Sequence, residues 1–279
     1  PYTTLFRSYI TSDYRCFMEE GEDVLEGVLL MLKYLGIPKC IIGIEKNKPK
    51  AIEKMTKLCE KHDNITVKAL KSSYPQGAEK TLIFSTTGRV VKEGTLPLAS
   101  GCIVINSSTA AFIAQYIRTG MPLVKRRITV DGNIVKKPSN FIVPVGMSIG
   151  EIVYYAELSD KPDRIILGGP MMGACAFDPD YPLSKTNNAV LMFADSPVYE
   201  PSECIRCGKC VKACSMNLLP TELEHAFDMR DAGRLEKLKV NLCVNCGACS
   251  FVCPAKRNLA EKNQLAKAFL RDQSTRNGK

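Results

Sequence analysis

The sequence predicts a mixed α/β chain: an open α/β domain, a small β-rich domain with one helix, and a small helical module built around cysteine arrays. Three observations predict it. Helical and strand-length apolar segments alternate over residues 22–118, short strand-like runs follow over 126–193, and eight of the thirteen cysteines crowd into 204–253. The 279 residues and 30.8 kDa suffice for two or three domains. With 45% hydrophobic and 24% charged residues, the chain can bury a core without disulfides.

The elements follow in order. Pro1–Ser8 reads as a junction scar heading a gene fragment, and residues 9–13 carry no clear element signal. Over Glu22–Leu35, residues Val24, Leu25, Val28, Leu29, Leu32 and Leu35 fall on one helical face, which Gly36-Ile37-Pro38 ends. Lys39–Ile44 reads as a buried parallel strand, Pro49–His62 as an amphipathic helix and Ile65–Leu70 as a second strand. Gly77–Ser85 reads as a helix, Cys102–Ile105 as another buried strand and Ser108–Arg118 as another helix.

Ligands of open α/β sheets bind beyond the carboxyl ends of strands, at loops and helix starts. Two loops qualify. Tyr74-Pro75-Gln76-Gly77-Ala78-Glu79-Lys80 offers a glycine, an aromatic ring and a carboxylate, and Asn106-Ser107-Ser108-Thr109 offers amide, hydroxyl and backbone N–H donors. From spacing alone each reads as an ordinary turn and an N-cap. No G-x-G-x-x-G loop is present.

Beyond Arg126 the pattern becomes β-rich. Arg127–Val130, Asp131-Gly132-Asn133 and Ile134-Val135 read as a hairpin, Asn140–Val145 as a strand and Ser148–Ala156 as a short helix. Asp163–Leu167 and Ala189–Phe193 are later strands, and Gly168–Gly173 between them reads as a tight turn followed by packing. Pro220-Thr221 opens a helix, Ala232-Gly233 breaks it, Arg234–Leu238 begins another, and Asn258–Arg271 is a third helical pattern. His225 reads as a surface or packing residue rather than an iron ligand.

The cysteines carry the chemistry. Cys16, Cys40, Cys59, Cys102 and Cys175 are scattered and read as small core hydrophobes. The other eight form two identical arrays: Cys204-x2-Cys207-x2-Cys210-x3-Cys214, and Cys243-x2-Cys246-x2-Cys249-x3-Cys253 followed by Pro254. Two intervening residues let a tight turn point successive sulfurs inward. Gly208 and Gly247 relieve crowding there. In two-cluster ferredoxins the fourth cysteine of such an array ligates the other cluster. The expected ligand sets are therefore Cys204, Cys207, Cys210 and Cys253 for one [4Fe–4S] cluster, and Cys243, Cys246, Cys249 and Cys214 for the other. Zinc favours paired CxxC knuckles, and disulfides need an exported chain, which nothing in the sequence indicates. Nothing beside the arrays supplies a nucleophile or general base, so no catalytic residue is assigned and one-electron relay is the expected task.

Charge and hydropathy exclude further classes. The net charge is +9, with 14 basic against 8 acidic residues in 201–279, but no tryptophan and no aromatic residues interleave with the basic ones, so nucleic acid is not an expected partner. No run approaches the ~18 apolar residues of a membrane span, and no segment reads as a signal peptide.

The order of these features resembles the C subunit of the Rnf ion-translocating electron transport complex from about Tyr9 onward. The residues that carry the resemblance are YPQGAEK (74–80), VDGNIVKKPSNFIVPVG (130–146), IILGGPMMG (165–173) and the two arrays. The resemblance implies a kinship with the flavin- and NADH-binding subunit of respiratory complex I. It implies three domains: an FMN/NADH-type α/β domain over 9–124, a β-grasp domain of the soluble-ligand-binding (SLBB) type with its connector over 125–200, and a helical two-cluster domain over 201–279. It implies FMN and NAD(H), partner subunits of a membrane complex that receives ferredoxin-derived electrons, coupling to Na+ or H+ movement, and a peripheral position on the cytoplasmic face of the membrane. Tyr74, Gly77 and Glu79 match the family's second flavin/nucleotide segment, and Asn106 and Thr109 the segment lying along the flavin. The family's glycine-rich loop and acidic stretch precede the point where this chain begins, so clusters are expected to be held better than FMN. Two functions remain: a redox subunit working between a nicotinamide/flavin site and the clusters, or an iron–sulfur wire or docking subunit with no nicotinamide chemistry of its own.

Overall fold

A computed structural model describes residues 9–194 and 199–277; the expected junction scar at Pro1–Ser8 lies outside the described residues. Within them, 9–89 with 102–194 form one compact unit, and 90–101 with 199–277 form a second.

The first unit opens with α1 (Ser12–Glu19) and α2 (Gly21–Tyr34). They are followed by β1 (Cys40–Glu45), α3 (Pro49–Cys59), β2 (Ile65–Leu70), α4 (Glu79–Thr87) and α5 (Ser107–Thr119). β1 and β2 pair in parallel, Cys40 opposite Ile65 through Glu45 opposite Leu70. The parallel pairing follows from the α3 crossover, which lays Ala51 and Met55 on the sheet. Val24, Val28 and Leu32 of α2 join Ile42, Ile44, Met55 and Ala110 in one core. α2 meets α5 closely because Gly27 lacks a side chain: a Cβ there would stand 1.8 Å from the carbonyl oxygen of Ala110.

One element begins where the sequence carries no clear signal, and one expectation fails, in this unit. α1 starts at Ser12, within residues 9–13, and runs to Glu19. Cys102–Ile105 is not a strand: it follows the left-handed turn at Gly101, pairs with neither β1 nor β2, and leaves Ile103 and Ile105 exposed. A four-residue apolar run needs a neighbouring strand edge to become one, and the two-stranded sheet does not present it.

The same unit holds a five-stranded mixed sheet ordered β4-β3-β7-β5-β6, from β3 (Lys125–Asp131), β4 (Ser139–Pro144), β5 (Arg164–Leu167), β6 (Ala174–Ala176) and β7 (Ala189–Phe193). β3 and β7 run parallel and the other neighbours antiparallel. α6 (Ile149–Ala156) covers it, its start fixed by a capping box in which Ser148 and Glu151 bond each other's backbone N–H groups. Ile128, Val130, Ile149, Ile152, Val190 and Met192 form its core.

The expected hairpin through Ile134-Val135 is a further correction. β3 pairs instead with β4, Val130 opposite Ser139. Asn133 is the reason. Its side chain bonds both N–H and C=O of Ala194 at the end of β7, drawing the chain past β3 rather than back along it. Gly132, at φ +142°, allows the crossing: a Cβ would meet the Met192 carbonyl oxygen at 1.8 Å.

The second unit is helical: α7 (Lys209–Ala213), α8 (Pro220–Asp228), α9 (Ala232–Lys237), α10 (Ala248–Phe251) and α11 (Leu259–Asn277). Pro220 takes the first helical position of α8, as expected. Ala232-Gly233 starts α9 rather than breaking a helix, because the Asp231 side chain accepts from Arg234 N and caps it. Leu223, Ala226, Leu235, Val240, Ala266 and Leu270 form the core. Among the described residues no helix is long and apolar enough to cross a membrane.

Candidate metal centres and flavin loops

The two arrays fold alike. Arg206 and Asn245 take left-handed backbone at φ 56° and 53°, Gly208 and Gly247 at φ 72° and 78°, and Asn217 and Lys256 at φ 53° each, so the special positions recur in step. Gly208 precedes α7 and Gly247 precedes α10, turning the chain so that the third cysteine enters a short helix of which it is the buried residue.

The fourth cysteines cross over. Cys204, Cys207 and Cys210 line one cavity with Cys253. Cys243, Cys246 and Cys249 line another with Cys214. The electrostatics agree. Burial raises the Cys210 thiol, and Cys253 and Cys204 add to the rise. Burial pushes Cys249 up to about 12, with Cys243, Cys246 and Cys214 contributing in the same direction. Raised in this way, the Cys210 and Cys249 thiols stay protonated at neutral pH, and it takes bound cations to hold them as thiolates.

Around the first cavity, Arg257 Nε donates to Glu224 Oε2 at 2.7 Å and Arg257 Nη1 donates to the Ser202 carbonyl at 3.0 Å. Lys262 Nζ lies 3.4 Å from Glu224 Oε1. His225 is exposed, with Arg234 Nη1 3.4 Å from its Nδ1. At the second, Lys267 Nζ donates to the Cys243 carbonyl at 2.9 Å, and Asn263 Nδ2 to Cys243 Sγ at 4.0 Å. Asn245 Oδ1 and Asn263 Oδ1 are buried without hydrogen-bond partners.

The residues fit iron–sulfur clusters. Each cavity presents four cysteines, and among the described residues no histidine or carboxylate lines the second. Among the described residues no group of three or more His, Cys, Asp or Glu side chains is gathered for a single metal ion. Sequence reasoning missed Glu224, Arg257, Asn263 and Lys267, since only the packing of α8 and α11 brings them beside the arrays.

The two loops singled out as flavin candidates belong to the first unit. Tyr74 precedes a cis bond to Pro75, and Gln76 N and Ala78 N donate to the Ser73 and Pro75 carbonyls, forming a tight loop after β2. Gly77 has open space where a Cβ would go, and Glu79 is the first residue of α4. Gln76 is buried and its Nε2 lacks a partner, a signal the sequence did not carry. Asn106 caps α5: its Oδ1 accepts from Ser108 N at 3.0 Å, and its amide donates to Asp13 Oδ1 at 3.2 Å. Thr109 lies in the first turn of α5, its N–H donating to the Asn106 carbonyl at 3.0 Å.

Of the scattered cysteines, Cys16, Cys40 and Cys59 belong to the α2–β1 core, whereas Cys175 is exposed on β6. Burial pushes Cys16 to about 12 and Cys40 to about 11.

Residues 7–115 match the Nuo51 FMN-binding domain, and residues 203–257 match a 4Fe-4S dicluster domain. The C subunit of the proton-translocating ferredoxin:NAD(+) oxidoreductase complex of Clostridium ljungdahlii is 40% identical over 218 residues, 77% of this chain and 48% of that protein. The C subunit of the Na(+)-translocating ferredoxin:NAD(+) oxidoreductase complex of Acetobacterium woodii is 38% identical, over 77% of this chain and 49% of that protein. The C subunit of the ion-translocating oxidoreductase complex of Rhodobacter capsulatus is 35% identical over 234 residues, 81% of this chain and 45% of that protein. The chain thus spans about half the length of these relatives. A solved NAD+-reducing [NiFe]-hydrogenase shares the fold, with a TM-score of 0.60 at 16% identity over 94% of this chain and 54% of that one.

Proposed function

Since the chain is a homologue of the C subunits of the ion-translocating (Rnf) oxidoreductase complexes, we propose that it relays electrons between an FMN/NAD(H) site and two [4Fe–4S] clusters in such a complex. The observation that carries this reading is the exchange of fourth cysteines between two otherwise identical arrays, the ligation pattern of two-cluster electron carriers. Bound clusters supply reversible one-electron chemistry. The chain's own part is to supply thiolates, exclude water from the buried sulfurs and hold the two sites close.

Cys204, Cys207, Cys210 and Cys253 hold the first cluster, and Cys214, Cys243, Cys246 and Cys249 the second. Tyr74, Gly77, Glu79, Asn106 and Thr109 serve the flavin and nucleotide; the buried Gln76 amide beside Gly77 supports this by offering an unspent donor. Residues 9–124 act as the FMN/NADH domain, 125–200 as a β-grasp domain with its connector, and 201–279 as the two-cluster domain. The chain works peripherally at the cytoplasmic face with the other subunits of the complex, exchanging ferredoxin-derived electrons with NAD(H).

Two measurements test this. Anaerobically reconstituted protein is expected to contain about eight irons per chain, and NADH with added FMN is expected to bleach the cluster absorbance. Bleaching by dithionite alone would leave a wire without nicotinamide chemistry, and zinc in place of iron would overturn the reading altogether. Cys214→Ser is expected to remove the paramagnetic signal of the cluster bound by Cys243, Cys246 and Cys249; loss of the other signal rejects the exchange.

A further inference from the structure

The second cavity is not surrounded by cysteines alone. α11 lays two polar side chains against Cys243, one helical turn apart. Asn263 is 1% exposed, lines the cavity and donates from Nδ2 to Cys243 Sγ. Lys267 donates from Nζ to the carbonyl oxygen of the same residue. A buried amide with an unpartnered Oδ1 costs stability, and a task at the sulfur would account for its being kept there.

The first site is built differently. Its lining carries Arg206, Arg234 and Arg257 together with Glu222, Glu224 and Asp228, so charges of both signs surround it, and Arg257 is paired with the buried Glu224 carboxylate. Among the described residues no carboxylate stands within ion-pair distance of Lys267. The second site therefore feels a positive charge and a side-chain N–H directed at a ligand sulfur.

We propose that Asn263 and Lys267 are positioning residues that raise the reduction potential of the cluster held by Cys214, Cys243, Cys246 and Cys249. This deepens the two-cluster reading and rests on it. Reduction adds one electron, and the added negative charge spreads onto the thiolate sulfurs. An N–H···S bond and a cation beside Cys243 stabilise that charge more than they stabilise the oxidised cluster, so the electron is held more tightly. Because both donors sit on the face of α11 anchored by Ala266 and Leu270, the packing of one helix sets the potential. Both donors touch Cys243, so their effect falls on the second cluster.

The test is a redox titration of the whole reconstituted chain, following both paramagnetic signals, with Asn263→Leu and Lys267→Met. Each is expected to keep its iron and acid-labile sulfide and to shift one midpoint, that of the Cys243 cluster, to lower potential, leaving the other in place. A tenfold fall in the reduced-to-oxidised ratio at fixed poise corresponds to about 59 mV for one electron. Lys267→Arg is expected to restore most of the shift. Iron retained with both midpoints unmoved overturns the inference, as does a fall in melting temperature without a change in potential. Should Asn263→Leu lose the cluster, Lys267→Met decides alone, since it keeps the alkyl stem. Failure of the unmodified chain to bind about eight irons would instead strike the ligand assignment, so the two failures are distinguishable.

Discussion

The backbone N–H of Ser202 donates to the carbonyl oxygen of Ala255 at 3.0 Å, tying the chain just before the first array to the chain just after the second. This strap delivers Cys253 to Cys204. Arg257 reinforces it, giving one N–H to the Ser202 carbonyl and another to the buried Glu224. Arg257→Ala breaks the strap's side-chain half and leaves Glu224 with Lys262 alone. A lost hydrogen bond to a charged group typically costs about 1.5–3 kcal/mol. The expected outcome is an unfolding free energy, from urea titration of the cluster-loaded protein, lowered by that amount, with a chelator stripping the first cluster before the second. Equal stripping rates would show that Arg257 does not serve the exchange.

Gly27 and Gly77 separate the two uses of glycine in this chain. A methyl group at Gly27 collides with the Ala110 backbone, whereas at Gly77 it meets nothing within 4 Å. Overpacking usually costs about 1–3 kcal/mol, and a clash against backbone falls at the top of that range. Gly27→Ala is therefore expected to lower the free energy of chemical unfolding by about 3 kcal/mol. Gly77→Ala is expected to leave it unchanged and to weaken FMN binding, read from the quenching of flavin fluorescence. Unchanged flavin affinity would remove Gly77 from the flavin segment.

Thr129 anchors the start of α1. Its Oγ1 accepts from the backbone N–H of Thr11 at 3.0 Å and of Ser12 at 2.9 Å, and the residue is 2% exposed. Its hydroxyl donates to Asn140 Oδ1 at 3.0 Å. Thr129→Val keeps the shape and removes the acceptor from both amides. The expected loss is about 1–3 kcal/mol in guanidinium unfolding, with faster hydrogen exchange at Thr11 and Ser12. Unaltered exchange there would mean that the amides find other partners.

These contacts explain which features were legible in the sequence. The cysteine arrays were readable because their spacing is itself the geometry: two residues between cysteines set the turn, whatever surrounds it. The short helix at Ser148–Ala156 was readable for a similar local reason, since the capping box that starts it lies within four residues. The first helix was not, since SDYRCFME buries only Ser12 and Cys16 and owes its place to Thr129 and to the ion pairs of Arg127 with Glu19 and Glu20, all remote in sequence. Cys102–Ile105 has a strand's composition without a strand's neighbour. The 131–135 turn follows Asn133's bonds to Ala194 rather than its own hairpin signal. The Glu224, Asn263 and Lys267 side chains looked like ordinary helix polar residues until α8 and α11 were packed beside the sulfurs.

The buried thiols make a pH prediction. Burial raises Cys16 to about 12, with Glu20 adding to the rise, and Cys40 to about 11, with Cys59 adding to it, against an ordinary value of 9.0. The folded state thus binds these protons more tightly than the unfolded chain does. Their contribution to stability is complete below about pH 9 and is lost as the pH climbs toward 11 and then 12. The urea midpoint is therefore expected to fall with rising pH across that window, and to fall less steeply in Cys16→Ala, even though that variant starts from a lower midpoint because of the cavity it leaves. Alkylation reads the same chemistry directly. Below pH 9 iodoacetamide is expected to label exposed Cys175 while sparing Cys16 and Cys40, because the thiolate is the reactive form, and for Cys16 burial also denies access. Labelling of Cys16 as fast as Cys175 in folded protein, followed by peptide mass spectrometry, would show that its thiol is not held in the core. A pH slope identical in Cys16→Ala would show that its proton is not the one being lost.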